Sequence, residues 1–281
     1  MHRIGVIGGG TMGAGIAEVA ARAGGEVLVL ERDTDGAYLA RARIARSLTR
    51  AVEAGKLDRD LADQAAGRIA LTTAIDDFAD RELVIEAAPE IEVLKTEFFA
   101  KLDTIVAPEA ILATNTSSIP VIRIANTTAH PGRVVGVHFF NPVPVLPLVE
   151  IVVTLQTERA VADKVTAYAR NTLGKRTIES KDQAGFVVNA LLIPYLCSAI
   201  RMAESRFASI ADIDEGMVAG YAHPMGPLRL TDTIGLDTTL AIAESLYAEF
   251  REPHYNPPPL LRRMVDAGYL GRKTGRGFYT Y

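Results

Sequence analysis

The chain has 281 residues, enough for one large domain or for two of ordinary size with separate cores. With 48% hydrophobic and 23% charged residues it has the composition of a globular protein, which excludes a disordered or fibrous one. Its net charge of −4 gives no general basic surface, and its apolar stretches stop well short of the about 20 residues of a membrane span, so neither nucleic acid nor membrane is expected as a partner.

The first apolar run, residues 3–8, is rich in Ile and Val and bounded by glycines, the pattern of a buried parallel strand. It is too short for a signal peptide, so a cytoplasmic protein is expected. Residues 11–23 carry small apolar side chains at helical spacing, and Gly24-Gly25 ends that helix. Residues 26–30 read as a second buried strand. Further strands are expected at 83–86, 111–114, 134–138 and 148–153, with helices between them, notably at 91–102 and 158–173. This alternation predicts an α/β fold of the Rossmann type: a doubly wound, mostly parallel sheet with helices on both faces.

About fifty residues separate the second strand from the next, far more than a crossover needs. Residues 35–54 read as a long helix with an apolar stripe at Ile44, Leu48 and Ala51, and a turn at Gly55-Lys56-Leu57-Asp58 leads into a second helix at 58–69. A helical hairpin is therefore expected as an insertion at about 35–69. After Asp182 the strand pattern disappears, and helices are expected at 185–207, 210–221, 236–250 and 260–267. The boundary falls near 183: a nucleotide-binding domain at 1–183, then an all-helical C-terminal domain at 184–281. The single cysteine, Cys197, lies in an apolar run and reads as a buried, inert thiol.

Gly8-Gly9-Gly10-Thr11-Met12-Gly13 fits the pattern G-x-G-x-x-G directly after a strand and at the opening of a helix. Gly8 permits the tight turn, Gly10 lets the backbone approach a pyrophosphate, and Gly13 lets helix and strand pack closely. The phosphates would then meet unpaired N–H groups at the positive end of the helix. Glu31 ends the second strand, eighteen residues after Gly13, where a carboxylate accepts both ribose hydroxyls and repels a 2′-phosphate. That favours NAD over NADP. The neighbouring Arg32 is the usual partner of such a phosphate, and is read here as exposed or stacked on adenine.

His138 ends a buried strand on the sheet edge where doubly wound folds bind ligands. Prolines turn the chain after it, and the strand from Leu148 could return Glu150 to its side. A histidine backed by a carboxylate is a sound general base, although a strand-end histidine is as readily structural, and spacing alone leaves both open. Metal is not expected, because the His, Cys, Asp and Glu residues show no ligand spacing. His223 lies in a Pro- and Gly-rich loop and reads as structural. His2, His130 and His254 show no partner pattern and read as exposed.

Asn115-Thr116-Ser117-Ser118, His138-Phe139-Phe140-Asn141-Pro142 with Glu150, Gly185-Phe186-Val187-Val188-Asn189, His223-Pro224-Met225-Gly226-Pro227 and the terminal Gly271-Arg272-Lys273-Thr274-Gly275-Arg276-Gly277-Phe278-Tyr279 resemble the 3-hydroxyacyl-CoA dehydrogenases. The resemblance covers the whole chain and is closest to the single-function bacterial 3-hydroxybutyryl-CoA dehydrogenases. It implies that His138 takes the hydroxyl proton while hydride passes to NAD, that Glu150 holds His138, and that Ser117 and Asn189 bond the reacting oxygen. It further implies that Asn141 places the nicotinamide end, and that Asn115, Glu90, Lys95 and Lys273 line the cofactor cleft. Read without it, Glu90 and Lys95 are a surface ion pair.

An acyl-CoA substrate is a polyanion, so a protein of net charge −4 must meet it with local cations. Arg43, Arg46 and Arg50 share one face of the inserted helix with Ser47, and Lys56 follows at the turn. Ser47 matches a CoA contact of the family, whereas Ala54 stands where a basic residue is common. Ala190 after Asn189, and the absence of a proline before Gly185, bear on chain length more than on chemistry. Two other readings stand beside this one: a dehydrogenase of a non-CoA 3-hydroxy acid, and a non-catalytic NAD-binding protein. The apolar circumference of residues 185–207, together with the resemblance, predicts a homodimer formed through the C-terminal domain.

Overall fold

Runs of Ile, Val and Leu that are apolar on both sides of the pleat form one sheet, since only strands covered on both faces can bury consecutive apolar residues. The strands are β1 (Arg3–Ile7), β2 (Glu26–Leu30), β3 (Ile69–Thr72), β4 (Leu83–Glu86), β5 (Ile111–Thr114), β6 (Val134–Phe139), β7 (Leu148–Val153) and β8 (Arg176–Lys181). Their order is β3-β2-β1-β4-β5-β6-β7-β8. Strands β1 to β6 are parallel, β7 turns back antiparallel to β6, and β8 runs parallel to β7. The six parallel strands have the order of a dinucleotide-binding sheet, as the alternating pattern predicts. The structure is a computed structural model that describes residues 1–281, in two compact units, Met1–Gln183 and Ala184–Tyr281.

The helices of the first unit are α1 (Thr11–Arg22), α2 (Thr34–Glu53), α3 (Arg59–Gly67), α4 (Glu92–Ile105), α5 (Val121–Ala125) and α6 (Arg159–Ala167). Asp33 caps α2 by accepting the Gly36 N–H, and Asp58 caps α3 through Asp60, so both arms of the inserted hairpin start where an acid can satisfy free N–H groups. Ile44 and Leu48 of α2 are buried against α1 and the sheet, in the same cluster as Ile16, Val29 and Ile69. At about 1.5–3 kcal/mol for each large side chain removed from water, that stripe suffices to hold the hairpin down.

Two strands escape the sequence pattern. Ile69 opens β3 instead of closing the second helix: a four-residue strand after an Ala-rich helix offers no alternation to read. Strand β8 is a sheet edge with a polar sequence, Arg-Thr-Ile-Glu-Ser-Lys, and carries no apolar signal. The predicted helix at 158–173 is α6 followed by a π turn, Tyr168–Thr172.

In the second unit the helices are α7 (Val188–Glu204), α8 (Ile210–Tyr221), α9 (Pro227–Ile234), α10 (Leu236–Phe250) and α11 (Pro259–Asp266). Helix α7 starts later than residue 185 because Gly185 and Phe186 adopt positive φ, 77° and 48°, which ends any continuous helix there. Helix α9 is hidden in the sequence behind a Pro- and Gly-rich stretch, yet Pro227 at its first turn costs it nothing, since that N–H has no helical partner. Two apolar clusters hold the bundle, one around Leu196, Cys197 and Leu246 and another around Ile200, Leu228 and Leu261. Burial pushes the Cys197 thiol up to about 11, so it stays protonated and inert.

Candidate active site

The phosphate-binding turn has the steric logic read from the sequence. Gly8 sits at φ 87°, and a Cβ on Gly13 would lie 1.7 Å from the Gly8 carbonyl oxygen. No other residue fits either place. Above Gly10 the space is open, and no side chain caps the first N–H groups of α1, so an anion can take them. Glu31 reaches back to accept the Gly9 N–H at 2.6 Å, which pins its carboxylate to the turn. Arg32 points away, 90% exposed, with its guanidinium on Asp33. These features fit a dinucleotide: a backbone cradle for the pyrophosphate beside an acid for the ribose.

Strand β7 returns antiparallel to β6 with His138 directly opposite Glu150. The pair is buried, with side chains 6% and 0% exposed, and His138 Nδ1 lies 2.7 Å from Glu150 Oε2. A carboxylate can only accept, so Nδ1 carries the proton and Nε2 of the neutral ring is left as acceptor. Facing Nε2 at 3.1 Å is the Ser117 hydroxyl. Asn115 joins the two strand ends by accepting the Phe139 N–H at 2.9 Å. Farther along, Asp182 accepts the N–H groups of Val121 and Ile122 and so holds the start of α5 just after this loop. Burial raises the Asp182 carboxyl despite those two bonds.

Glu90 organises the turn that bears Ser117. Its Oε1 accepts the Ser117 and Ser118 N–H groups at 3.0 and 3.1 Å, and both the Thr116 and Ser118 hydroxyls. Burial of the carboxyl opposes its charge, but the Lys95 ammonium and these donors outweigh it and hold Glu90 below the ordinary range. Lys95 is no surface ion pair with Glu90. It is 1% exposed and its ammonium lies between Glu90 Oε2, at 3.2 Å, and the buried Glu86, at 2.7 Å. The four-residue gap from Glu86 to Glu90 spans a strand end and a turn, so no periodicity reveals it; the readable signal is an acid closing an apolar strand.

On the other side of α1, a cavity of about 360 Å³ is lined by Thr11, Arg43, Arg46, Ser47, Arg50 and Asn141, among others. The arginine face of α2 thus converges on one space, and Asn141 belongs to its wall. Arg43 also donates to the Gly9 carbonyl at 3.3 Å, a contact that the sequence did not suggest. Lys56 is exposed at the hairpin turn and does not line this cavity. Met12 packs partly against the first unit's core.

In the second unit Asn189 is buried in the first turn of α7. Lys273 forms an ion pair with Asp237 at 2.5 Å. Two buried acids seat the terminal segment: Asp232 accepts the Phe278 and Tyr279 N–H groups, and Asp214 accepts the Tyr279 hydroxyl. His223 is tied to the Tyr195 hydroxyl at 3.2 Å, in keeping with a structural role. His130 is not without a partner: its Nδ1 lies 3.3 Å from Asp103.

Residues 3–183 match the NAD-binding domain of 3-hydroxyacyl-CoA dehydrogenases, and residues 185–281 match their C-terminal domain. The chain is 56% identical to a 3-hydroxybutyryl-CoA dehydrogenase of Mycobacterium tuberculosis, over 100% of this chain and 99% of that protein. The crystal structure of M. tuberculosis FadB2 superimposes with a TM-score of 0.99 at 56% identity, covering 100% of this chain and 99% of that one. That of (S)-3-hydroxybutyryl-CoA dehydrogenase from Ralstonia eutropha does so at 0.95 and 44% identity, with the same coverage. The cofactor of the first domain is NAD, and the chain is an NAD-dependent dehydrogenase that belongs to the 3-hydroxyacyl-CoA dehydrogenase family.

Proposed function

We propose that the chain interconverts (S)-3-hydroxybutyryl-CoA and its 3-keto product, reversibly, with His138 as general base. The observation that carries this reading is the line Glu150–His138–Ser117, with its first two members buried, set on the sheet edge beside the glycine turn. Nε2 of His138, the nitrogen that faces Ser117, takes the 3-hydroxyl proton. Glu150 keeps the ring in that tautomer and neutralises the imidazolium as it forms. Ser117 donates to the oxygen as negative charge develops on it, a role that the family resemblance gives to Asn189 as well. NAD would supply the hydride acceptor for C3, and Gly8–Gly13, Glu31, Glu90, Lys95, Asn115, Ser117, Asn141 and Lys273 are the groups assigned to hold it. In the reverse direction His138 returns the proton to the same oxygen.

The phosphates of CoA are given to the α2 face, with Arg43, Arg46, Ser47 and Arg50 around the cavity, and Lys56 on the exposed hairpin turn is assigned to the same ligand. Assembly as a homodimer through the helical unit belongs to the same reading. Leu196 and Ile200 are used up in the unit's own cores, but Leu191, Phe207 and Tyr221 stand 74%, 77% and 78% exposed on the single chain. Because NAD and CoA thioesters are intracellular metabolites, the assigned compartment is the cytoplasm.

Steady-state reduction of acetoacetyl-CoA and of longer 3-ketoacyl-CoAs, each with NADH and NADPH, tests the proposal. Fastest turnover of the four-carbon thioester with NADH is expected. Failure to reduce any CoA thioester, with turnover of free 3-keto acids instead, overturns it. Light scattering at micromolar concentration should give twice the 30.2 kDa of one chain. A fully active species at the monomer mass refutes the dimer.

A further inference from the structure

Strand β4 reads Leu-Val-Ile-Glu, and its last residue places a fully enclosed carboxylate between two apolar strands. An ionised group pays heavily for such a place unless its charge and its lone pairs are all met. Here they are met. Glu86 Oε1 accepts from Lys95 Nζ and from the Ala88 N–H, both at 2.7 Å, and Oε2 accepts from the Thr114 hydroxyl at 2.7 Å. An apolar side chain would fill a central strand end more simply, so the cost calls for a use.

The contacts supply one. Lys95 Nζ also donates to the Ala88 carbonyl at 3.2 Å and faces Glu90 Oε2 at 3.2 Å. Glu90 in turn gathers the donors of Thr116, Ser117 and Ser118, and the Ser117 hydroxyl stands 3.1 Å from the His138 ring. Lys95 has a long, flexible stem, and Glu90 is 37% exposed. Held by Glu90 alone, the ammonium could follow that carboxylate toward solvent. Glu86 removes this freedom, because between two carboxylates and a carbonyl the ammonium has one place to be.

We propose that Glu86 is a positioning residue for the reaction. It fixes Lys95, and through Lys95 and Glu90 it holds the turn that aims Ser117 at the oxygen beside His138. The proposal rests on the roles given above to Ser117 and His138. It extends the buried support of the site from one carboxylate behind the base to a second behind the oxygen donor.

Glu86→Gln, which keeps the shape and drops the charge, tests it on the full chain with NADH and acetoacetyl-CoA. The expected result is a fall in kcat of about 10- to 100-fold, the usual range for a group that orients a reacting one, with both KM values within about threefold. NADH fluorescence titration should still count one site per chain. Glu86→Asp, which restores the charge one methylene short, should recover at least about threefold of the loss. A kcat within about twofold of the parent overturns the proposal, as does a loss matched by lost NADH sites, or an Asp variant no better than Gln. His138→Ala, assayed alongside, keeps the two readings apart. If it turns over normally the site assignment fails; if it is inactive while Glu86→Gln is normal, only the role of Glu86 fails.

Discussion

Strand β6 has a histidine–carboxylate pair near each end, and the two pairs differ in nearly every respect that matters for chemistry. Just before the strand, His130 is 60% exposed and lies 3.3 Å from Asp103, whose charge is already taken by Arg133 at 2.7 Å and by the Ala129 N–H at 2.8 Å. At the C-terminal end His138 is enclosed, its carboxylate is fully buried 2.7 Å from the ring, and its second nitrogen faces a hydroxyl. The first pair is a surface latch on a loop. The second is a buried pair whose other ring nitrogen faces the Ser117 hydroxyl, the arrangement proposed above for the base. A parallel sheet explains the asymmetry: strand C-termini and helix N-termini share one edge, and that edge carries the glycine turn and Glu31 as well.

The sharpest way to break this comparison is at His138. His138→Ala should cut kcat by about 10²- to 10⁴-fold while NADH still binds, because a general base acts in the chemical step. Glu150→Gln should lower kcat by about 10- to 100-fold, since the ring keeps a partner but the imidazolium loses its counter-charge. Stopped-flow reduction of acetoacetyl-CoA measures both. Near-parent turnover in the His138 variant would make the two ends of β6 equivalent and sink the assignment.

A second prediction uses pH. Glu90 is held below the ordinary carboxylate range, so the ionised form is the one the fold favours. Its contribution is complete above the unfolded value of about 4.3 and is lost as pH falls through the lower folded value. Lys95→Met removes the attractive charge and leaves burial unopposed by it. The acid limb of kcat should then move to higher pH, and stability should fall by about 3–5 kcal/mol because Glu86 is left buried without its cation. A pH–rate profile with an unmoved acid limb would show that the Ser117 turn does not depend on Glu90.

The sequence made the C-terminal edge legible where chemistry is local and hid it where it is not. The glycine turn, Glu31, and the return of Glu150 opposite His138 could be read because each depends on a strand, a turn and a fixed spacing. Glu86 and Asp182 could not, since their partners come from neighbouring elements: Thr114 lies 28 residues from Glu86, and Val121 lies 61 from Asp182. Without the family resemblance Lys95 reads as a surface pair with Glu90 for the same reason, because its deeper partner, Glu86, sits on the strand before its helix. In the fold, β3 and β8 were missed because a short strand and a polar edge strand have no apolar alternation, whereas the long arms of the inserted hairpin declared themselves by stripe and cap.

A smaller effect tests the same edge at β2. Glu31→Ala, with Arg32 kept, removes the charge that repels a 2′-phosphate and leaves a guanidinium at hand, now spent on Asp33. The ratio of kcat/KM for NADPH to that for NADH should rise by about tenfold, mostly through weaker NADH binding. Isothermal titration with both cofactors checks it, and a parent enzyme that already prefers NADPH would refute the role of Glu31.

The smallest effect is expected at the other end of β6, and it completes the comparison. His130→Ala removes an imidazole whose carboxylate partner retains Arg133 through two guanidinium bonds, to Oδ1 at 2.7 and 3.2 Å, and the Ala129 N–H. Burial opposes the charge on Asp103, yet the Arg133 guanidinium, that N–H and His130 together hold its carboxyl below the ordinary range, and Arg133 survives the substitution. A pair whose histidine stands largely in solvent, on a carboxylate already met by a guanidinium, contributes about 0–1 kcal/mol. The variant should therefore melt within a degree or two of the parent and turn over within about twofold of it, from neutral pH downward. If its kcat instead fell about as far as that of Glu150→Gln, proximity to a carboxylate would be enough to make a histidine catalytic here, and burial and the choice of sheet edge would lose their explanatory weight.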